Sequence, residues 1–400
     1  RVSRGLGDVY KRQIIMNCCI RFRESGIMEK ALNYIDIFAG CGGLSTGLFN
    51  AGWHGLFAVE KNADAFSTLK FNLIDTVPHF VWPEWLSMEA HDINELISKN
   101  EDNLKALRGH VTLVAGGPPC QGFSMAGKRN ANDQRNKLVE SYIQFIKLVA
   151  PQVIIFENVH GFTVNFKDKK GAKQYSMYVE QALTEEGYQV AHSIIDMSHF
   201  GIPQNRKRFI LVAMKGHDPK RVFAVLAESR EAFCKEKGIM CTTSVRDAIS
   251  DLEKSCGTVP SPDTKGFNAG IYGTIQSGYQ KLMRQKLSTD TRTVNSHRFV
   301  NHRTDTVKLH ENLLRTAPRG KRITPTDGIV DNLNRRGVTV LDPNSQSPTI
   351  TSIPDELVHY CEPRILTVRE HARIQSFPDW YEFKGKYTSV SYTHLTLPTN

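Results

Sequence analysis

No stretch of this 400-residue sequence approaches the roughly 20 consecutive apolar residues that a membrane-spanning helix needs, so no membrane partner is expected. Its eight cysteines are scattered, with no CxxC pair and no zinc-ligand spacing. Neither a disulfide framework nor a bound metal is therefore expected, and the setting reads as reducing and cytoplasmic. No signal-peptide pattern and no internal repeat is visible. What is present fits a soluble globular protein: 40% hydrophobic and 23% charged residues, in a chain long enough for two domains or one large one.

The net charge is +10, and its placement says more than its size. Residues 281–340 hold thirteen Lys or Arg against five acids, a net +8, leaving only +2 for the other 340 residues. A basic block in a balanced chain points to a polyanion partner, and a solvated basic face is the competing reading. Both ends look foreign. Residues 1–13 and 389–400 resemble translated sequencing-adapter sequence and are set aside from the fold, with Met28 preferred over Met16 as the native start.

From residue 33 short apolar runs alternate with helical stretches. Strands are expected at 34–38, 56–59, 111–115, 153–156, 189–196 and 208–214. Helices are expected from Ser45, with Ser45 or Thr46 as N-cap, from Ala63 to Asn72 and from Leu138 to Val149. This alternation predicts an α/β fold with a doubly wound, mostly parallel sheet. After Met214 it dissolves, and residues 215–350 show no clear helical period. A second, irregular domain is expected over 215–360, with the chain returning to the first over 361–388.

Five sequence features carry the chemistry. Asp36-Ile-Phe-Ala-Gly-Cys-Gly-Gly-Leu-Ser45 leads a strand through a glycine-rich turn into a helix, where free amides and close backbone approach suit a ligand. Its glycines miss the GxGxxG spacing of dinucleotide sites. Glu60 ends the next strand, where an acid can accept ribose hydroxyls. Gly116-Gly-Pro-Pro-Cys-Gln-Gly-Phe-Ser124 puts Cys120 on a stiff turn past a strand end, and Glu157 opens Glu-Asn-Val159 after another strand. Arg206 and Arg208 alternate at the head of the last strand. Each has a plainer reading: a buried structural cysteine, a solvated carboxylate, basic edge residues.

These motifs, together with Arg364-Ile-Leu-Thr-Val-Arg-Glu-His-Ala-Arg-Ile-Gln-Ser-Phe-Pro-Asp379, occur in the order found in the C5-cytosine DNA methyltransferases, and the chain resembles that family over residues 33–383. The resemblance implies a Rossmann-like class I methyltransferase domain over 33–214 and a target-recognition domain over 215–360. It implies S-adenosylmethionine as cofactor and transfer of its methyl group to C5 of a flipped-out cytosine in duplex DNA. In that picture Cys120 is the nucleophile, Glu157 contacts N3 of the base, and Arg206 and Arg208 complete the catalytic set. The cofactor is held by Phe38, Ala39, Gly40, Cys41, Gly42, Gly43, Leu44, Glu60, Lys61, Asp92, Ile93 and Pro118. Asp92 takes the adenine amino group, although on sequence alone a cap or turn role is nearly as good.

The resemblance also implies a monomer acting on DNA in the cytoplasm, associated with the nucleoid and paired with a cognate restriction endonuclease or solitary. An RNA methyltransferase of the same chemistry and a DNA-binding relic without turnover are the alternatives; the Cys-Phe-Thr signature of the tRNA-modifying members is missing. The family's final segment, containing Gly-Asn-x-Val-Pro, does not follow Tyr387. Weak cofactor binding is expected of a chain that lacks it.

Overall fold

Six strands hydrogen-bond into one sheet: β1 (Asn33–Ile37), β2 (His54–Val59), β3 (Leu113–Gly116), β4 (Val153–Val159), β5 (Gln189–Asp196) and β6 (Lys207–Met214). Their order is β2-β1-β3-β4-β6-β5. The computed structural model describes residues 32–119, 137–163, 175–329, 333, 337–351 and 354–385. Strands β2, β1, β3 and β4 are mutually parallel, and β6 runs antiparallel to both of its neighbours. The chain leaves β1 for β2 on one side and later enters β3 on the other. The carboxyl ends of β1 and β3 therefore form a topological switch point, where open α/β sheets place their ligands. Central strands such as β1 and β3 are buried almost throughout because both of their faces are covered.

The helices of this part are α1 (Gly43–Asn50), α2 (Ala63–Lys70), α3 (Ile93–Lys99), α4 (Glu101–Ala106), α5 (Lys137–Val149) and α6 (Tyr175–Glu185). Helix α5 buries Val139, Tyr142, Ile143, Phe145, Ile146 and Val149 in the same apolar core as Ile35, Val114, Ile154 and Phe209. Two local expectations need correction. Helix α1 begins at Gly43 and is capped by Gly42 in the left-handed region (φ 84°), not by Ser45 or Thr46. Those hydroxyls donate instead to the Asp36 carboxylate (2.6 Å) and the Gly42 carbonyl (2.7 Å). Helix α2 stops at Lys70, and the chain continues to Thr76 as a π-helical turn.

The described chain forms two compact units, residues 32–196 with 207–230 and residues 197–206 with 231–385. Neither the boundary expected at 214/215 nor the return expected over 361–388 matches this division. Helix α7 (Lys220–Lys237) crosses the boundary; its buried Val222, Leu226, Phe233 and Cys234 keep helical spacing, but many charged neighbours mask it in the sequence. The second unit is thin in regular structure, with short helices α8 (Val245–Ile249) and α9 (Gly278–Met283) and a longer α10 (Thr304–Thr316). A small sheet of β9 (Arg322–Ile323), β10 (Val338–Val340) and β11 (Leu357–Val358) packs on Leu313 of α10 and on Ala317 just after it, and β7 (Thr258–Pro260) pairs with β8 (Asn268–Gly270).

Segment 364–383 stays in the second unit because buried charges hold it there. Its helix α11 (Val368–Ile374) opens with a capping box between Thr367 and Glu370. Fully buried Arg373 reaches Asp379 (2.7 and 2.6 Å) and Asp251 (3.0 and 3.2 Å). Arg369 donates to the carbonyls of Asn295, Pro378 and Tyr381. Arg364 is bidentate to Glu370 (2.8 and 2.7 Å). Burial opposes ionisation of Glu370, but Arg364 outweighs it and brings the pKa down from 4.5 to about 2. A depressed carboxylate stabilises the fold above its unfolded pKa and loses that contribution as pH falls through the folded value. Glu370→Gln should therefore narrow the difference in unfolding free energy between pH 7 and pH 3, measured by denaturant titration. An unchanged difference would show that this carboxylate does not drive acid sensitivity.

Candidate active site

The glycine turn after β1 is built from three left-handed residues, Phe38 (φ 63°), Gly40 (φ 59°) and Gly42 (φ 84°). For Phe38 this conformation is strained, since its Cβ crowds the backbone there. The turn is nonetheless well held. Ala39 N–H donates to the carbonyl of Val59 (3.0 Å), and Gly40 N–H donates to Oε2 of Glu60 (2.9 Å). Glu60, only 1% exposed, also accepts from Asn62 N–H through Oε1 (2.6 Å). A single carboxylate thus joins the β1 turn to the start of α2. Phe38, Ala39, Gly40, Cys41, Gly42, Gly43 and Leu44 are all buried.

Asp92 sits beside this turn: the preceding residue, His91, donates its N–H to the carbonyl of Glu60 (2.8 Å). Asp92 caps α3 by accepting from Asn94 N–H (2.8 Å), so the cap reading of the sequence is correct. Its other oxygen meets Lys61 Nζ at 2.7 Å. Burial alone would raise the Asp92 pKa, but Lys61 and the α3 amides hold it below the ordinary value. Ile93, the first residue of α3, is a core residue. An ionised carboxylate has about four acceptor positions, so orientation of Glu60 by two amides is compatible with accepting hydroxyls as well.

The second cluster lies at the far end of β4. Glu157 does not follow the strand as expected but lies within it, because β6 keeps pairing as far as Val159 opposite Arg208. Residues 157 and 159 share a face, which brings Arg208 to Glu157: Nε and Oε1 are 3.5 Å apart, with side chains only 5% and 11% exposed. Since β6 is antiparallel, its first residues lie at the carboxyl ends of the parallel strands, on the same edge as the glycine turn. Arg208 also donates to the Lys207 carbonyl (2.7 Å). Arg206 is buried but falls in the second unit, where its carbonyl accepts from Met197 N–H (2.9 Å). Cys120 lies outside the described residues.

Two residues passed over in the sequence take part. Asp36, 1% exposed in β1, receives the Ser45 hydroxyl and ties α1 to the sheet. Asn158 donates from Nδ2 to the carbonyl of Pro118 (3.2 Å) and accepts from Val159 N–H at Oδ1 (2.8 Å). Both lie inside motifs quoted from the sequence, but neither residue type betrays its partner.

The +8 block divides on inspection. Arg284 is paired with Asp251, Arg322 is bidentate to Glu356 (3.0 and 3.0 Å), and Arg298 stacks on Phe267. Lys281, Arg292, Arg303, Lys308, Arg315, Arg319 and Lys321 are exposed. Among the described residues no helix is long and apolar enough to cross a membrane.

A glycine turn after the first strand, an acid closing the second and a sheet with one reversed strand make a Rossmann-like α/β domain. A crystal structure of an E. coli prophage protein assigned as a DNA modification methyltransferase shares this fold, with a TM-score of 0.62 at 22% identity over 92% of this chain and 96% of that one. A model of the C-5 cytosine-specific DNA methylase family matches residues 32–395, and the chain belongs to that family. It is a DNA (cytosine-5)-methyltransferase by class. The type II methyltransferase M.DdeI of Desulfomicrobium norvegicum is 30% identical over 387 residues, 91% of this chain and 83% of its own length. Type II methyltransferase M1.HphI of Haemophilus parahaemolyticus is 28% identical over 389 residues, 95% and 87% of the two chains.

Proposed function

We propose that the protein methylates C5 of a flipped-out cytosine within a specific duplex DNA sequence, through a covalent adduct with Cys120. The observation that supports this best is the meeting of Glu157, Arg208 and the Gly-Gly-Pro-Pro turn at one sheet edge, the edge that also carries the glycine turn and Glu60. Bound S-adenosylmethionine supplies an electrophilic sulfonium methyl group. Glu60 and Asp92 would hold its ribose and adenine, and the turn from Phe38 to Leu44 would line it.

The chain's own residues then divide the work. Cytosine C5 is a poor nucleophile until a group adds at C6, and the Cys120 thiolate makes that bond. Glu157 hydrogen-bonds or protonates N3, which accepts the electron pair displaced by the addition. Arg208 keeps Glu157 in place and its charge in balance. C5 becomes nucleophilic and takes the methyl group; loss of its proton restores the 5,6 double bond and expels Cys120. None of this can proceed inside stacked DNA, so the base leaves the helix.

The second unit is the reader of sequence in this proposal, its exposed Lys and Arg residues meeting phosphates and its loops meeting base edges. A partner endonuclease cutting the same site would make the pair a restriction–modification system, in the cytoplasm, with the methyltransferase acting as a monomer. Bisulfite sequencing of DNA from cells expressing the protein tests the proposal. It predicts protected cytosines confined to one short sequence. Protection scattered without sequence context, or none, would count against it.

A further inference from the structure

We propose that Asn158 is a positioning residue for the nucleophile, acting through the carbonyl of Pro118; the inference rests on Cys120 being that nucleophile. Two prolines, Pro118 and Pro119, immediately precede Cys120. Proline has no N–H, so neither residue can donate a main-chain hydrogen bond, and backbone anchoring there depends on carbonyl oxygens. The carbonyl of Pro118 accepts from Nδ2 of Asn158 at 3.2 Å in a buried setting. That amide is itself oriented: Val159 offers it a donor at 2.8 Å and Pro118 an acceptor, so only one of its two flips satisfies both.

A second contact shows how closely the turn is seated on β4. A Cβ on Gly117 would lie 3.2 Å from the Glu157 carbonyl, tighter than side-chain carbons ordinarily pack. Two successive residues of the turn, 117 and 118, therefore rest on two successive residues of the strand, 157 and 158. The strand that presents the acid for N3 is the strand that fixes the approach to Cys120. Asn158 would set the spacing between the two reacting groups without touching the substrate.

The test compares Asn158→Ala, Asn158→Ser and Asn158→Asp with the unmodified full chain. The Asp variant keeps the shape and the acceptor for Val159 but has no donor for Pro118. A lost anchor should lower kcat by roughly 10- to 100-fold, with KM for S-adenosylmethionine and Kd for S-adenosylhomocysteine within about threefold of the original. Covalent trapping by duplex DNA containing 5-fluorocytosine should slow in step with kcat. A kcat within about twofold of the original in the Ala or Asp variant would overturn the proposal, since misplacement of reacting groups by ~1 Å costs far more. So would loss of cofactor affinity in proportion to kcat, the pattern of general disruption. Cys120→Ser, run alongside, separates the two claims. Transfer by that variant sinks the nucleophile, whereas a dead Cys120→Ser beside a fully active Asn158→Ala sinks only the anchor.

Discussion

Cys120→Ser should reduce methyl transfer by roughly 10⁴-fold or more while leaving cofactor affinity almost intact. A serine hydroxyl is not ionised near neutral pH and adds poorly to C6, so the first bond of the reaction is lost rather than slowed. The cofactor's proposed contacts, from Phe38 to Leu44, Glu60 and Asp92, do not pass through the Cys120 side chain. Duplex DNA carrying 5-fluorocytosine gives a sharper reading, because fluorine at C5 cannot leave as the proton does and the adduct accumulates. A DNA–protein band stable to denaturant should form with the unmodified chain and vanish with the Cys120→Ser variant. Equal trapping by that variant would mean that another group adds to the base.

Glu60→Ala carries the second large effect. The carboxylate orients two amides, Gly40 N–H at 2.9 Å and Asn62 N–H at 2.6 Å, and is proposed to hold the ribose hydroxyls. Charged hydrogen bonds contribute about 1.5–3 kcal/mol each, and removal of the shared acceptor should weaken S-adenosylhomocysteine by roughly 100-fold, about 2.7 kcal/mol. Calorimetric titration reads this directly. Glu60→Gln retains the shape and one acceptor oxygen and should fall between the two. Wild-type affinity in the Ala variant would move the ribose site away from the end of β2.

The sheet was legible from sequence because parallel strands buried on both faces are short unbroken apolar runs, as in Val153-Ile-Ile-Phe156. Its edges were less so. Glu157 and Asn158 are poor strand formers and look like the start of a loop; only pairing with β6, some fifty residues later, keeps them extended. The cap of α1 was missed for a local reason. Gly42 can enter the left-handed region at little cost, which starts the helix early and frees Ser45 for Asp36.

The second unit was harder. Buried charge pairs such as Arg373 with Asp251 join residues more than a hundred positions apart, and such a pair leaves no periodic trace. The same fact explains why segment 364–383 looked like a return to the first unit. Its apolar and small residues announce a helix, but its destination is written in Arg364, Arg369 and Arg373, whose partners lie within the second unit. The basic block, too, shows only its sum in the sequence, and part of that sum neutralises acids internally.

The central claim is cytosine-5 methylation of duplex DNA, and one measurement addresses it most directly. The protein is incubated with methyl-labelled S-adenosylmethionine and either mixed-sequence duplex DNA or transfer RNA. The recovered nucleic acid is then digested to nucleosides. The account predicts label in 5-methyldeoxycytidine from the duplex and none from the RNA. Label in the RNA alone, or in a methylated base other than 5-methylcytosine, would contradict it.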